Sequence, residues 1–127
     1  MTHDRVRVRN LTRGVDIVTR GQVANTFWTR LRGLIGRQAL APGEGLVIIP
    51  CKGVHMGFMR FPIDVIYVDK HNRVVDVDEH LRPWTIGRPR ARSRYVIEVP
   101  AGTVTVTGTT VGDELAIIPE GSDGHSP

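Results

Sequence analysis

The stretch from Ile63 to His80 constrains the fold more than any other part of the chain, because it has the pattern of a β-hairpin. A polar loop, Lys70–Arg73, separates an apolar strand from a return strand in which Val75 and Val77 alternate with acidic residues. In the first strand, one face carries Ile63, Val65 and Tyr67, and the other carries Asp64, Ile66 and Val68. Asp64 therefore shares a face with apolar side chains, and a carboxylate in that position needs a partner.

Further strands are predicted along the whole chain, which contains 17 Val, 10 Ile and 11 Thr, residues that favour strands over helices. Alternation predicts an amphipathic edge strand at Arg5–Arg9, with Val6 and Val8 facing the core. Leu46–Ile49 is continuously apolar and is expected to be buried on both faces. Thr103–Thr110 fits either a strand or a short helical turn. The other predicted strands are Val15–Thr19, Tyr95–Val99 and Glu114–Ile118.

One amphipathic helix is predicted over Gln22–Ile35, because apolar residues recur there at four- and three-residue spacing. About eight short strands with one helix, and no alternation of strands and helices, indicate a mainly β fold. We expect an antiparallel β-sandwich of jelly-roll type, or a partly open barrel, with the helix packed against it. Residues 1–119 form this single domain, and the polar, Gly- and Ser-rich residues 120–127 are expected to be a disordered tail.

Composition narrows the class of protein. The chain has 127 residues, a net charge of +4 and one cysteine, which excludes an internal disulfide framework and a cysteine-rich zinc site. No apolar segment resembles a signal peptide or reaches the length of a membrane span. These features predict a cytoplasmic protein that does not associate with membranes; they do not predict its oligomeric state.

Several motifs resemble those of the domain-of-unknown-function family 192, a group of small uncharacterised proteins. The resemblance covers about Gln22 to Ile118. Its motifs are L-R-G-L-I-G-R at Leu31–Arg37, G-L-V-I-I-P-C at Gly45–Cys51, H-M-G-F-M-R-F-P-I-D-V-I-Y-V-D at His55–Asp69, R-V-V at Arg73–Val75, P-W at Pro83–Trp84, Y-V-I-E-V-P-A-G at Tyr95–Gly102 and V-G-D-E-L at Val111–Leu115. The resemblance implies a compact β-rich domain of jelly-roll or sandwich type and brings no established activity.

The loop that precedes the hairpin concentrates unusual side chains, so the sequence predicts a pocket at one end of the β-domain for a small polar or anionic ligand. The candidate lining residues are Cys51, His55, Met56, Met59, Arg60, Asp64 and Trp84. Arg60 fits two roles equally well: it could pair with Asp64, or it could clamp an anionic group of the ligand. The Met and Phe side chains of the loop could line the pocket or belong to the core.

An enzyme is the first alternative, since Cys51 and His55 could form a thiol nucleophile activated by an imidazole. A buried structural cysteine is the more common outcome for such a residue. A metal held by His55 with His80, Asp78 or Asp64 lacks the usual ligand spacing. The sequence therefore predicts no metal and no cofactor.

Binding of single-stranded nucleic acid is the second alternative, because Trp84 and an arginine-rich loop could stack on bases and neutralise phosphates. The arginines are Arg82, Arg88, Arg90, Arg92 and Arg94. A solvated loop anchored by Trp84 explains them more simply, and the modest net charge argues against a nucleic-acid partner. Gly112–Asp113 is interpreted as a turn before the last strand.

Overall fold

A computed structural model of the chain describes residues 5–24, 40–49, 61–82 and 90–120. Its elements are β1 (Arg5–Asn10), β2 (Val15–Ala24), β3 (Glu44–Ile48), β4 (Ile63–Val68), β5 (Val74–Leu81), β6 (Tyr95–Pro100), α1 (Thr103–Thr107) and β7 (Leu115–Pro119). The mainly β prediction is confirmed, and so is the hairpin, which is formed by β4 and β5.

The strands form one seven-stranded sheet in the order β5-β4-β6-β3-β2-β1-β7. All neighbouring pairs are antiparallel except β2 and β3, which run parallel. The prediction that Arg5–Arg9 is an edge strand is wrong, because β1 lies between β2 and β7. Alternation reports only that one face of a strand is buried, and a central strand with one solvated face gives the same pattern.

The sheet curls until its two outer strands approach each other at one end. The Val74 amide of β5 donates to the Asp113 carbonyl at 2.9 Å, and the Gly112 amide donates to the Val74 carbonyl at 2.8 Å. The Leu115 amide of β7 donates to the Asn72 carbonyl at 2.8 Å. Of the two architectures predicted, the fold is therefore the partly open barrel, with its strands joined at this end by the segment before β7.

Both faces of the central strands are buried. Ile66 and Val68 of β4 belong to one apolar cluster with β1, β2 and β6 residues, while Ile63, Val65 and Tyr67 belong to a second cluster. This assignment confirms the two faces predicted from the alternation in β4. Val47 lies in the first cluster and Leu46 and Ile48 in the second, as expected for a strand that is apolar on both faces.

Two glycines allow β2 and β3 to pack against the core. Gly21 and Gly45 are directly paired across the parallel strands, and the fully buried Val18 side chain lies against both. A Cβ atom on Gly45 would lie 2.6 Å from Val18 Cγ2, which is too close for carbon atoms. Glycine at this position therefore lets Val18 fill the space between the two strands.

The helical predictions have mixed outcomes. Gln22–Ala24 belong to β2 rather than to the predicted helix, because they pair with Leu46–Ile48; residues 25–35 lie outside the described residues. Thr103–Thr107 is helical, which decides between the two structures considered for that segment.

In the tail, the Glu120 amide donates to the Arg5 carbonyl at 2.9 Å, and residues 121–127 lie outside the described part. Among the described residues, no helix is long and apolar enough to cross a membrane.

Candidate functional site

The predicted pocket falls mostly on residues that the structure does not describe. Asp64 lies within the described residues, whereas the other candidates lie outside them: Cys51, His55, Met56, Met59, Arg60 and Trp84. The predicted pocket and the proposed thiol–imidazole pair therefore stay predictions. Of the arginine-rich loop, Arg82, Arg90, Arg92 and Arg94 are described and Arg88 is not.

Asp64 has the partners that its burial requires, and they are backbone amides. Its side chain is fully buried; Oδ1 accepts the His80 amide at 2.9 Å, and Oδ2 accepts the amides of Gly102 and Val104 at 3.0 and 2.9 Å. Val104 is in the first turn of α1, where amides have no partner within the helix. Asp64 thus joins the ends of β5 and β6 to α1, which is a role in stability.

A cleft of about 390 Å³ brings basic side chains of two separate segments together. We call it the basic cleft; it is lined by Asp69, Lys70, His71, Ala91, Arg92, Ser93 and Arg94. The first three residues belong to the turn between β4 and β5, and the others immediately precede β6. The two segments meet because β4 and β6 are antiparallel neighbours, so the end of one lies beside the start of the other.

Asp69 fixes the shape of the hairpin turn. Its Oδ1 accepts the amides of His71 and Arg73 at 2.8 and 3.0 Å. Burial raises the pKa of Asp69, but these hydrogen bonds and the positive charges of His71 and Arg92 outweigh burial and lower the pKa below its ordinary value. Asp69 is therefore ionised at neutral pH, and its charge partly offsets the cations around it.

The turn that carries Arg92 is held at both ends. The Ser93 amide donates to the Arg90 carbonyl at 3.0 Å, and the Arg94 amide donates to the Val68 carbonyl of β4 at 2.7 Å. Ser93 is buried and its hydroxyl donates to the Tyr95 carbonyl at 3.2 Å. The backbone beneath Arg92 and Arg94 is thus attached to the sheet, while both side chains remain exposed.

Arg90 has a different role from the other arginines of this segment. Its Nε donates to Asp76 and its Nη2 donates to Asp78, both at 2.9 Å, and the Tyr67 hydroxyl donates to Asp78 at 2.8 Å. Burial lowers the pKa of Arg90, but the two carboxylates and Tyr67 outweigh that effect and raise it. Arg90 is committed to contacts within the protein, whereas Arg92 and Arg94 line the cleft.

A larger cleft, of about 510 Å³, is lined by β1, β2 and β3 residues together with Glu120. Its charged side chains are balanced in number and engaged with one another or with the backbone. Arg5 lies 3.9 Å from Glu120, Arg20 donates to the Pro42 carbonyl, and Glu44 accepts the Ala41 amide. Since the described residues that line this cleft carry no surplus charge, the basic cleft is the better candidate for ligand recognition despite its smaller volume.

Two buried carboxylates were missed by the sequence analysis. Asp113 is more than a turn residue: its Oδ2 accepts hydrogen bonds from the Asn10 amide group, the Arg13 Nε and the Thr110 backbone amide. Glu98 is fully buried in β6, directly opposite Leu46 and Val65. The apolar residues on both sides of Glu98 in β6 could have indicated that it is buried, but nothing local indicates that Asp113 meets Asn10.

A metal site would need several ligands in one place. In residues 5–24, 40–49, 61–82 and 90–120, no three His, Cys, Asp or Glu side chains are grouped in that way. The arrangement that these ranges offer to a ligand is electrostatic: exposed cations on a fixed backbone, with one carboxylate beside them.

Solved structures share this fold. A protein of unknown function from Novosphingobium aromaticivorans is 26% identical with a TM-score of 0.73, and the match covers 88% of this chain and 83% of that one. A Sinorhizobium meliloti protein, provisionally described as a transcription regulator, is also 26% identical, with a TM-score of 0.71 over 89% and 92% of the two chains.

Relatives of known sequence point to one family. A UPF0127 protein from Thermococcus sibiricus is 34% identical over 84% of this chain and 71% of its own length. One from Pyrococcus furiosus is 33% identical over 84% of this chain and 93% of its own length. The model of domain-of-unknown-function family 192, described as an uncharacterized ACR, matches residues 9–117. The chain therefore belongs to the domain-of-unknown-function family 192, as its motifs predicted.

Proposed function

We propose that the protein is a small binding module whose ligand is a small anion held in the basic cleft. The observation that carries the proposal is the meeting of Lys70 with Arg92 and Arg94, which come from separate segments and line one cleft. The sequence predicted a small polar or anionic ligand, and the proposal narrows that class to anions. The place is different, because the predicted pocket was built around residues 51–60.

Electrostatics support an anion over a neutral ligand. Exposed cations that converge on a concave surface raise the local concentration of anions, and arginine and lysine side chains form charge-assisted hydrogen bonds to carboxylate or phosphate oxygens. The backbone under these side chains is held by Asp69, by Ser93 and by the β4–β6 ladder. A fixed backbone lowers the entropic cost of binding.

Titration of the full chain with inorganic phosphate, followed by amide NMR shifts at low ionic strength, tests the proposal. We expect the amides of residues 69–71 and 91–94 to shift together and saturably. Replacing both Lys70 and Arg92 with Gln should weaken binding about tenfold or more, the equivalent of about 1.4 kcal/mol. Replacing both Arg5 and Arg20 with Gln is the matched control, because it removes two positive charges that line the other cleft.

Two results would contradict the proposal. One is the absence of saturable shifts around the basic cleft at any phosphate concentration. The other is an equal loss of affinity in the Arg5 and Arg20 double variant and in the cleft variant, since general attraction by the net charge of +4 would then explain the binding.

Binding of single-stranded nucleic acid is a second candidate, favoured by the exposure of Arg82, Arg92 and Arg94. The provisional description of the Sinorhizobium meliloti protein points in the same direction. This candidate requires steeply salt-dependent binding of an oligonucleotide, with a loss of affinity in Arg82→Gln. A gel-shift series over salt concentration, run with wild type and Arg82→Gln, separates the two candidates. Arg82 is not among the described residues that line the basic cleft, so its replacement should weaken oligonucleotide binding and leave the binding of a small anion unchanged.

A further inference from the structure

The fixed charges of the basic cleft do not cancel. Among the described residues that line it, three side chains carry a formal positive charge, Lys70, Arg92 and Arg94, and one carries a negative charge, Asp69. Leaving the imidazole of His71 aside, these described residues carry a surplus of two positive charges. The described residues that line the larger cleft, by comparison, include two arginines and two glutamates, so their formal charges cancel.

The position of Asp69 explains why it does not repel an anion from the whole cleft. Its Oδ1 is occupied by the backbone amides of His71 and Arg73, so the carboxylate is directed to the hairpin turn. Arg92 is close enough to contribute to the ionisation of Asp69. Lys70, Arg92 and Arg94 all line the cleft and are exposed, so all three are available to an incoming anion.

We propose that the ligand of the basic cleft is the phosphomonoester dianion of a small molecule, an inference that rests on the proposed function. A dianion neutralises the surplus of two charges, whereas a monocarboxylate or a phosphodiester leaves one charge uncompensated. Two guanidinium groups offer paired N–H donors to phosphate oxygens, and the lysine adds a point charge.

The exposure of the cleft defines which part of the ligand is recognised. Lys70, His71, Arg92 and Arg94 are all exposed at the rim of the domain, and the apolar part of the lining is limited to Ala91 and the side-chain stems. The phosphate group is therefore the recognised part, and the group esterified to it extends into solvent. Discrimination among phosphomonoesters should be weak, and discrimination by charge should be strong.

A matched series of small anions tests this inference on the full chain: methyl phosphate, dimethyl phosphate and acetate. At about pH 7.5, methyl phosphate is mainly a dianion because its second pKa is about 6, while the other two carry one charge. We expect methyl phosphate to bind about tenfold more tightly than either monoanion in amide NMR titrations. Replacing both Arg92 and Arg94 with Gln should abolish that preference, and replacing both Arg5 and Arg20 with Gln should preserve it.

The outcomes separate this inference from the proposed function. Equal affinity for methyl and dimethyl phosphate overturns the dianion and leaves an anion-binding module. Failure of all three anions to shift the cleft amides overturns the proposed function as well. An oligonucleotide without a terminal phosphate that binds more tightly than methyl phosphate at the same ionic strength overturns the dianion in favour of a nucleic-acid backbone.

Discussion

The Arg90 guanidinium lies 4.1 Å above the centre of the Tyr67 ring while it pairs with two aspartates of the neighbouring strand. The side chain of Arg90 is 15% exposed, whereas those of Asp76 and Asp78 are 44% and 24% exposed, so the guanidinium group is better shielded from water than its carboxylate partners. Arg90 is also the first residue of the turn whose next residues line the basic cleft. The Arg90 side chain therefore attaches the turn that carries Arg92 to the β4–β5 hairpin.

Replacing Arg90 with Lys should loosen this attachment, because an ammonium group cannot stack on Tyr67 and donate to both carboxylates in the same geometry. We expect a loss of about 2 kcal/mol in the free energy of unfolding, from the lost charge-assisted hydrogen bonds and stacking. Hydrogen exchange at the Ser93 and Arg94 amides should accelerate more than exchange in β1. Unchanged protection at these two amides would show that the turn does not depend on Arg90.

Asp64 provides a second prediction about stability. Asp64→Ala leaves the amides of His80, Gly102 and Val104 without their acceptor, and each unsatisfied buried donor costs about 1–3 kcal/mol. We expect a loss of about 3 kcal/mol or more by urea denaturation. Asp64→Asn should lose less, because its amide oxygen can still accept from one side.

The control for Asp64→Ala is Glu79→Gln. Glu79 is an exposed acidic residue that accepts a hydrogen bond from the Thr105 hydroxyl, so it also contacts α1. A change within about 0.5 kcal/mol is expected there. A similarly small effect of Asp64→Ala would mean that water replaces the carboxylate at those amides and that Asp64 is available for another role.

The pattern of residues within a single strand predicts which side chains share a face, but it does not predict which strands are neighbours. The alternation in β4 assigned Tyr67 and Ile66 to opposite faces correctly, because strand geometry alone fixes that relationship. The alternation in β1 could not show that this strand is central, because its neighbour β7 begins 105 residues after the end of β1. The spacing of Asp69 and Arg92 was equally uninformative, because only the pairing of β4 with β6 brings their segments together.

The sequence also could not identify the groups that pair with the buried carboxylate of Asp64. The predicted partner of Asp64 was Arg60, which lies outside the described residues. Within the described residues the partners of Asp64 are three backbone amides from two segments of the chain. Every non-proline residue carries an amide, so no sequence motif marks which one will be the donor. Arginines in one loop were likewise indistinguishable until the positions of Asp76 and Asp78 separated Arg90 from Arg92 and Arg94.

Gly45→Ala should destabilise the protein through Val18. The new methyl group would lie 2.6 and 3.1 Å from the two Cγ atoms of Val18, and overpacking of a buried site typically costs about 1–3 kcal/mol. Val18→Ala creates space at the same point, so the double variant should be more stable than the sum of the single losses predicts. Additive losses in urea denaturation would place the cause of the Gly45 effect elsewhere.

The lowered pKa of Asp113 makes the free energy of unfolding depend on pH in the acidic range. Burial raises the pKa of its carboxyl, but hydrogen bonds from Asn10, Arg13 and the Thr110 amide outweigh burial and lower the pKa below the ordinary value of 3.8. A lowered pKa in the folded state means that the carboxylate stabilises the fold fully above the pKa of the unfolded chain. That contribution is lost as the pH falls through the lower pKa of the folded state.

Asp113→Asn should therefore be less stable than the wild type at neutral pH, by about 1–2 kcal/mol for the weakened hydrogen bonds, and the difference should shrink as the pH falls below 3.8. Unfolding free energies from urea denaturation across the acidic range measure both quantities. Asp16→Asn is the control, because Asp16 pairs with Arg9 on the exposed surface of the same sheet. A difference between Asp113→Asn and wild type that stays constant through the acidic range would mean that the Asp113 hydrogen bonds do not depend on its charge.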